Sequence, residues 1–179
     1  MPCGVEGAGK YARIERERRY LAGRFPADAT VTRIRRIVDR YIDGTTLRLR
    51  RQSEERGPVV FKLTQKIPAR AAGAQQAFLT TMYITEAEYR VLANLPAQTL
   101  SKTRYSVPPF GIDVFEGVLQ GLVLAEAEFD SAAAADAQAM PLFPAREVSD
   151  DDRFTGGRLV RASRQEVQTW LLEYDIVLA

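Results

Sequence analysis

Charged residues alternate along the first β-type run of this chain, and this pattern limits what the chain can fold into. In residues 14–21, with the sequence IERERRYL, an extended strand would place three charged side chains on one side: Glu15, Glu17 and Arg19. The opposite side would carry two more arginines and a tyrosine, so neither side is apolar. An ordinary antiparallel strand buries one apolar face, and this run therefore needs another arrangement.

Later runs repeat the alternation, with like charges grouped on separate strands. The side chains that share a strand face are Arg48 with Arg50, Lys62 with Lys66, Lys102 with Arg104, and Glu126 with Glu128. A sheet whose charged face lies in water is one explanation, but segregating like charges gains nothing there. A barrel with the charged faces inside explains the segregation. Such a lumen is costly unless a ligand and a metal complete it, and a metal-bound phosphate chain matches both the acids and the bases.

The composition narrows the possible chemistry. One cysteine and no histidine are present, which excludes Ser-His-Asp and Cys-His catalysis and zinc sites built on histidine or cysteine clusters. A metal would have to bind carboxylates, which favours Mg²⁺, Mn²⁺ or Ca²⁺. The formal net charge of +2 gives no indication of a nucleic-acid polymer as partner. Without a run of about 18 apolar residues or a signal-peptide core, we expect a cytoplasmic protein that does not contact membranes.

Periodicity and turn signals predict an antiparallel, β-rich α+β fold. Strands are predicted over residues 12–21, 34–42, 45–51, 59–66, 77–84, 100–107, 110–117 and 122–129. Asp43-Gly44 predicts a two-residue hairpin between the second and third of these strands.

The helices are predicted late in the chain. Capping-box pairs predict helices that begin after Thr85 and Ser163, and the second is expected to occupy residues 163–179. An alanine-rich helix and a capped turn are expected between them, at 131–140 and 149–152. Because no linker is visible, the prediction is a single domain over 1–179, in which residues 1–10 form a flexible tail.

The run IERERRYL resembles the E-x-E-x-K signature of the CYTH superfamily, the triphosphate tunnel metalloenzymes. Further stretches resemble the family in the same order: LRLRR, FKLTQK, SKTRYSV, IDVFEG, GLVLAEAEF and EVSDDDRF. The resemblance implies an antiparallel eight-stranded β-barrel with helices packed outside. It also implies a tunnel that binds triphosphate compounds with Mg²⁺ or Mn²⁺. Inorganic triphosphatases, thiamine triphosphatases and class IV adenylate cyclases belong to this family.

Position within these motifs implies a role for individual residues. The implied metal ligands are Glu15, Glu17, Asp113, Glu126 and Glu128. The implied substrate contacts are Arg19, Arg48, Arg50, Lys62, Lys66 and Arg104. Lys102 matches a lysine proposed as a general base in related triphosphatases, and cationic neighbours would favour the neutral form that this role needs.

Two positions depart from the family pattern. The signature lysine is replaced by Arg19, which keeps the charge and binds phosphate but cannot accept a proton. In typical members the fifth strand carries R-x-E-x-E, and the corresponding positions here hold Ala77, Leu79 and Thr81. An arginine and two carboxylates are therefore expected to be missing.

Three functions remain open. The leading one is metal-dependent hydrolysis of inorganic triphosphate or a related triphosphate. The second is a non-catalytic protein that binds polyphosphate or an organophosphate, which would explain the missing acids. The third is a nucleotide cyclase, although the sequence shows no adenine pocket. The sequence does not specify an oligomeric state.

Overall fold

A closed antiparallel barrel forms the centre of the protein. The computed structural model describes residues 9–68 and 76–178. The barrel strands are β1 (Arg13–Ala22), β2 (Arg33–Ile42), β3 (Leu47–Ser53), β4 (Val60–Pro68), β5 (Gln76–Ile84), β6 (Ala97–Val107), β7 (Phe110–Phe115) and β8 (Val123–Glu128). A short ninth strand, β9, covers Ala145–Glu147.

The strands follow the order β5-β4-β3-β2-β6-β7-β8-β1 around the barrel, and pairing of β5 with β1 closes it. The first half of β1 pairs with β5, while its second half pairs with β8 on one side and with β9 on the other. The eight-stranded antiparallel barrel and the α+β fold predicted from the sequence are confirmed, and β9 lies outside the barrel.

Within residues 9–68 and 76–178, four short α-helices accompany the barrel: α1 (Glu86–Leu92), α2 (Ala132–Asp136), α3 (Gly156–Leu159) and α4 (Arg164–Leu172). The capping boxes predicted at Thr85 and Ser163 both form. Helix α1 packs on the outside of β4, where the rings of Phe61 and Tyr89 lie 4.7 Å apart.

Several local predictions need correction. Four residues, not two, separate β2 from β3. A turn spans Asp43-Gly44, with Gly44 at a φ of 71°, and two threonines follow it before β3 begins. The last helix ends at Leu172 instead of continuing to residue 179. The capped turn is a 3-10 helix at Asp152–Phe154 whose cap is Asp151. The tail predicted at residues 1–10 lies mostly outside the described residues.

Two apolar clusters pack against the barrel. One lies on the outer face of β1, β7 and β8, around Tyr20 and Ile112. The other lies at one end of the barrel, where the C-terminal segment (residues 148–178) packs against inward-facing Leu21, Leu124 and Phe115. The barrel is therefore covered at that end by part of its own C-terminal segment. No helix in the described ranges is long and apolar enough to cross a membrane.

Candidate functional site

The inner face of the barrel carries the charges that alternate in the sequence. Register pairs show that these residues share one side of the sheet: Glu17 lies opposite Glu128, Arg19 opposite Glu126, and Arg104 opposite Asp113. In the same way, Arg50 lies opposite both Asp39 and Lys62. Because alternate residues point to the same side of a strand, one consistent assignment of faces places all of them in the lumen.

A cavity of about 830 Å³ runs from the lumen to the barrel end that the C-terminal segment partly covers. It is lined within the barrel by Glu15, Glu17, Arg19, Arg48, Arg50, Lys66, Lys102, Arg104, Glu126 and Glu128. Nearer the surface, residues of the β2–β3 loop and of the C-terminal segment continue the lining. Among the described lining residues nine are basic and six are acidic, so the cavity has an excess of positive charge.

Asp39, on β2, fixes the arginines of β3. Its carboxylate accepts two hydrogen bonds from Arg50, both 2.7 Å long, and lies 3.9 Å from Arg48. Asp39 is 1% exposed and does not line the cavity. Although burial opposes ionisation, Arg50 and Arg48 hold the pKa of Asp39 below its usual range. The two arginines are thus held in place from behind and face the cavity.

Asp113, on β7, has the same relation to the basic side chains of β6. Its two oxygens accept hydrogen bonds of 2.6 Å from Arg104, and one also accepts from the Lys102 ammonium. The sequence implied that Asp113 is a metal ligand. In the structure it is fully buried, lies behind the cavity and is committed to two cations. In this arrangement Asp113 positions Lys102 and Arg104.

This contact also bears on the base predicted at Lys102. The sequence suggested that cationic neighbours would favour its neutral form, but the nearest charged partner is the carboxylate of Asp113. An ammonium that donates to a carboxylate has no free lone pair. Lys102 lines the cavity, and its role as a base remains a prediction that requires this ion pair to open and the ammonium to lose a proton.

Four glutamates gather on the neighbouring strands β1 and β8. Glu15 pairs with Lys66 at 2.5 Å, and Glu126 accepts a hydrogen bond from Arg104. Burial, together with the nearby charge of Glu126, raises the pKa of Glu17 to about 7. By contrast, Lys102 and Arg104 overcome the effect of burial and hold the pKa of Glu126 below its usual range. A bound cation would therefore stabilise the ionised form of Glu17 more than that of Glu126.

The described residues contain no group of three or more acids in a metal-binding arrangement. The donors nevertheless suit Mg²⁺ or Mn²⁺ in kind, because all are carboxylate oxygens. Mg²⁺ is commonly held by one or two carboxylates, with water and substrate phosphate completing its shell. Glu17, with Glu126 or the exposed Glu128 beside it, fits this pattern. The residues therefore fit a divalent ion that binds together with a phosphate ligand.

The fifth strand adds no charge to this part of the lumen. The register places Ala77 opposite Glu15, Leu79 opposite Lys66, and Thr81 opposite Thr64. All three residues therefore share the lumen side, as the sequence alignment required. The hydroxyls of Thr81 and Thr64 lie 3.0 Å apart. Because Ala77 is small, the Lys66 ammonium reaches across β5 to Glu15 on the far strand.

Two of the implied phosphate contacts have other partners. Arg19 is 1% exposed, and its guanidinium donates to the main-chain carbonyls of Ser149 and Phe154 at 3.3 and 3.4 Å. It therefore ties the C-terminal segment to the barrel while lining the base of the cavity. Lys62 lies towards the opposite barrel end, with its ammonium 4.9 Å from the centre of the Tyr83 ring. It is not part of the cavity lining.

Sequence reasoning missed Asp39 and Tyr41. Both lie on the inner side of β2, and Tyr41 contacts Arg48 through its hydroxyl. A β-carbon on Gly156 would lie 2.1 Å from the Tyr41 hydroxyl oxygen, so only glycine lets the C-terminal segment pack here. The signal for Asp39 in the sequence was that it is the single acid in an arginine-rich strand. The same pattern is also typical of an ordinary surface charge.

Comparisons with known proteins support this architecture. No family model matches the chain, and no curated protein matches it. A solved structure of the inorganic triphosphatase NE1496 is 25% identical, with a TM-score of 0.53 over 83% of this chain and 95% of that one. Another structure of NE1496, described as a hypothetical protein, is 26% identical with a TM-score of 0.54, and the match covers 83% of this chain and 99% of that one.

A more distant structure has the same fold. The PH1819 protein from Pyrococcus horikoshii OT3 is 17% identical, with a TM-score of 0.50 over 90% of each chain. This likeness shows the fold alone. The two NE1496 structures and the observed barrel agree with the family resemblance predicted from the sequence.

Proposed function

We propose that the chain is a divergent member of the CYTH superfamily and that it hydrolyses inorganic triphosphate or a related triphosphate with Mg²⁺ or Mn²⁺. One observation carries this proposal: the Glu17–Glu126 acid cluster and a fixed set of basic side chains line the same cavity. Hydrolysis of a phosphate chain needs both a site for a cation and neutralisation of the phosphoryl oxygens. That NE1496 is described as an inorganic triphosphatase supports the same conclusion.

Buried aspartates hold two of the basic side chains in position to bind phosphate. In both Arg50 and Arg104 the buried aspartate engages Nε and Nη2. Within the described part of the chain, Nη1 of each arginine has no hydrogen-bond partner and is available to a phosphate oxygen. Since the aspartates fix these side chains in advance, little side-chain entropy is lost when the ligand binds.

The glutamates of β1 and β8 would bind the cation and orient the attacking water. Glu17 and Glu126 would hold the ion, which when bound supplies neutralisation of charge on the phosphate oxygens. Glu128, the most exposed of the four glutamates, is placed to orient a water molecule that enters from solvent. Arg48, Arg50 and Arg104 would stabilise the charge that spreads over the transferring phosphoryl group. Lys102 lies beside Arg104; it would accept the proton of the water only as a neutral amine, so its ammonium must leave Asp113 and release a proton to solvent before the attack.

The test is turnover by the purified chain. We expect release of phosphate from tripolyphosphate, ATP or thiamine triphosphate when Mg²⁺ or Mn²⁺ is present, and none in EDTA. Glu17→Gln should abolish turnover without loss of the fold. Glu116→Gln is the matched control, because this carboxylate lies outside the cavity and pairs with Arg36. Unchanged turnover in Glu17→Gln would remove β1 from the mechanism.

A second function, binding of a polyphosphate or an organophosphate without turnover, is favoured by one observation. The lumen side of β5 offers Ala77, Leu79 and Thr81 where the family carries an arginine and two acids. Tight binding of tripolyphosphate that does not require metal, with no phosphate released from any of the three substrates, would establish this function in place of hydrolysis. Formation of cyclic AMP from ATP would instead support a cyclase.

A further inference from the structure

Two arginines at the mouth of the cavity have no part in the reaction proposed above. Arg158 lies on α3 and Arg161 follows that helix, and both line the cavity that contains the lumen acids and bases. Both side chains are exposed to solvent. The β2–β3 loop, with the hydroxyls of Thr45 and Thr46, lines the same cavity. The C-terminal segment also contributes Arg153, Asp150 and Asp152 to the lining. The mouth thus has a small excess of positive charge and several hydrogen-bond donors.

These two arginines differ from the basic residues deeper in the cavity because no carboxylate lies within salt-bridge distance of them in the described residues, although the charge of Arg158 acts on Glu166. In residues 9–68 and 76–178 neither guanidinium forms a salt bridge, and Arg161 donates only to the carbonyl of Gly157, at 2.7 Å. In the lumen, by contrast, Arg50, Lys66 and Arg104 each pair with a carboxylate. An arginine that forms no salt bridge keeps its planar donor fork for an external anion.

The position of these arginines relative to the lumen is fixed by the packing of the C-terminal segment. Leu159, between them, is 1% exposed and belongs to the apolar cluster at the barrel end. Gly156 lies against the hydroxyl of Tyr41, and Arg19 donates to two carbonyls of the same segment. The mouth arginines are therefore carried on a backbone that is anchored to the cavity floor, as a binding subsite requires.

The lining also indicates which ligand chemistry would be recognised. The aromatic side chains that line the cavity are Tyr41, Phe115 and Phe154, and all are buried or half-buried. The described lining therefore offers no exposed ring at the mouth on which a nucleobase could stack. The cavity volume of about 830 Å³ is that of a pocket for a whole drug-sized ligand. A ligand that continues as an anion fits this mouth better than one that ends in a base.

We infer that Arg158 and Arg161 form a second anion subsite, which binds the phosphoryl groups of a linear polyphosphate beyond the third. The inference rests on the proposed binding of a phosphate chain in the lumen. The inner basic side chains hold the first three phosphoryl groups, and the chain then leaves the barrel between α3 and the β2–β3 loop. The preferred ligands are accordingly linear polyphosphates longer than triphosphate.

The experiment compares the binding of tripolyphosphate and hexapolyphosphate by titration calorimetry in EDTA, and their KM values in Mg²⁺. We expect the wild-type chain to bind hexapolyphosphate more tightly. R158Q/R161Q should weaken binding of hexapolyphosphate roughly tenfold and change binding of tripolyphosphate less than about twofold. The control is R24Q/R90Q, which removes the same charge at two exposed sites away from the cavity and should leave the preference unchanged.

The outcomes separate this inference from the proposed function. If tripolyphosphate binds but the wild-type chain does not prefer the longer ligand, the subsite is wrong and the lumen site stands. Equal losses for both ligands in R158Q/R161Q, or the same loss in the control, would show a general charge effect and also overturn the subsite. If neither ligand binds under either condition, the proposed function itself fails.

Discussion

Asp39 and Asp113 are both buried in the barrel wall, and each fixes two basic side chains, yet their surroundings differ. Arg50 and Arg48 have Asp39 as their acidic partner, and Arg48 also contacts the Tyr41 hydroxyl. Arg104, held by Asp113, also donates to Glu126, whose charge in turn helps to raise the pKa of Glu17.

This difference separates two tasks within one lumen. The Asp39 cluster presents positive charge alone, which is suited to holding a phosphate chain. The Asp113 cluster is connected to the acids of β1 and β8, because Arg104 donates to both Asp113 and Glu126. A substitution in the cluster should therefore alter the electrostatic surroundings of these acids. We expect substitutions in the first cluster to act mainly on stability and binding, and substitutions in the second to act mainly on rate.

The largest effect should come from removing either aspartate. Asp39→Asn and Asp113→Asn each leave buried cations unpaired, and loss of one partner of a buried pair costs about 3–5 kcal/mol. Asp39→Asn should be the more damaging, because Arg50 loses its carboxylate whereas Arg104 keeps Glu126. Urea unfolding would measure both, with Asp43→Asn in the exposed β2–β3 loop as the control. A larger loss for Asp113→Asn would show that Glu126 does not compensate.

Next in size is a kinetic contrast between Lys102 and Arg50. Lys102→Ala should lower kcat by about 10²-fold or more with little change in KM, as expected for loss of a general base. Arg50→Ala should mainly raise KM, because it removes a phosphate contact. Steady-state kinetics with tripolyphosphate would separate the two. Equal changes in kcat and KM for Lys102→Ala would mean that this lysine only holds the ligand.

A smaller effect is a dependence of stability on pH with opposite signs for two acids. The pKa of Glu17 is raised by burial from 4.5 to about 7, so folding takes up a proton between these values. Its contribution to stability should therefore fall as pH rises through this window, by an amount on the order of 2 kcal/mol. Asp39, whose pKa is lowered by its arginines, contributes stability that is lost only as the solution is acidified below its usual range.

Chemical denaturation at both ends of the pH 4.5–7 window would measure the Glu17 contribution. Glu17→Gln should remove most of the slope, while Glu116→Gln should leave it in place. A slope that is unchanged in Glu17→Gln would assign the effect to another acid.

The smallest predicted effect is the energetic coupling between Tyr41 and Gly156, which joins the Asp39 cluster to the C-terminal segment. Gly156→Ala should destabilise the chain by about 1–3 kcal/mol, because its methyl group would overlap the Tyr41 hydroxyl. Tyr41→Phe removes that oxygen, so Gly156→Ala should cost less in the Tyr41→Phe background. A double-mutant cycle of thermal unfolding would give a coupling of about 1 kcal/mol. Additive losses would show that the segment shifts away from Tyr41 instead.

Much of the barrel could be predicted because alternation is a local property. A strand places residues two apart on the same side whatever its partners are, so Glu15 with Glu17 and Glu126 with Glu128 could be assigned to one face from the sequence alone. The partners themselves could not be assigned in this way. That Asp39 meets Arg50, or that Asp113 meets Lys102, depends on the register between strands.

The loops and the C-terminal segment were harder to predict for a different reason. The two threonines after Asp43-Gly44 carry no signal that distinguishes a longer loop from the start of a strand. β9 has only three residues and forms because β1 extends beyond its pairing with β5. The position of Arg158 and Arg161 at the cavity mouth depends on long-range packing of Leu159 and Phe154, which local patterns do not encode.

The closure of the barrel between β1 and β5 has a mechanical consequence. In the described ranges four register pairs join these strands, as few as join β7 to β8, whereas ten join β2 to β6. The β7–β8 pairing is covered by the apolar cluster around Tyr20 and Ile112, so we expect the β1–β5 seam to separate before it. The ion pair between Lys66 and Glu15 bridges the seam from one side of β5 to the other. A phosphate ligand in the lumen that binds Lys66 would break the ion pair between Lys66 and Glu15. We therefore expect a bound ligand to hold the basic side chains of the lumen more rigidly and to weaken the closure between β1 and β5.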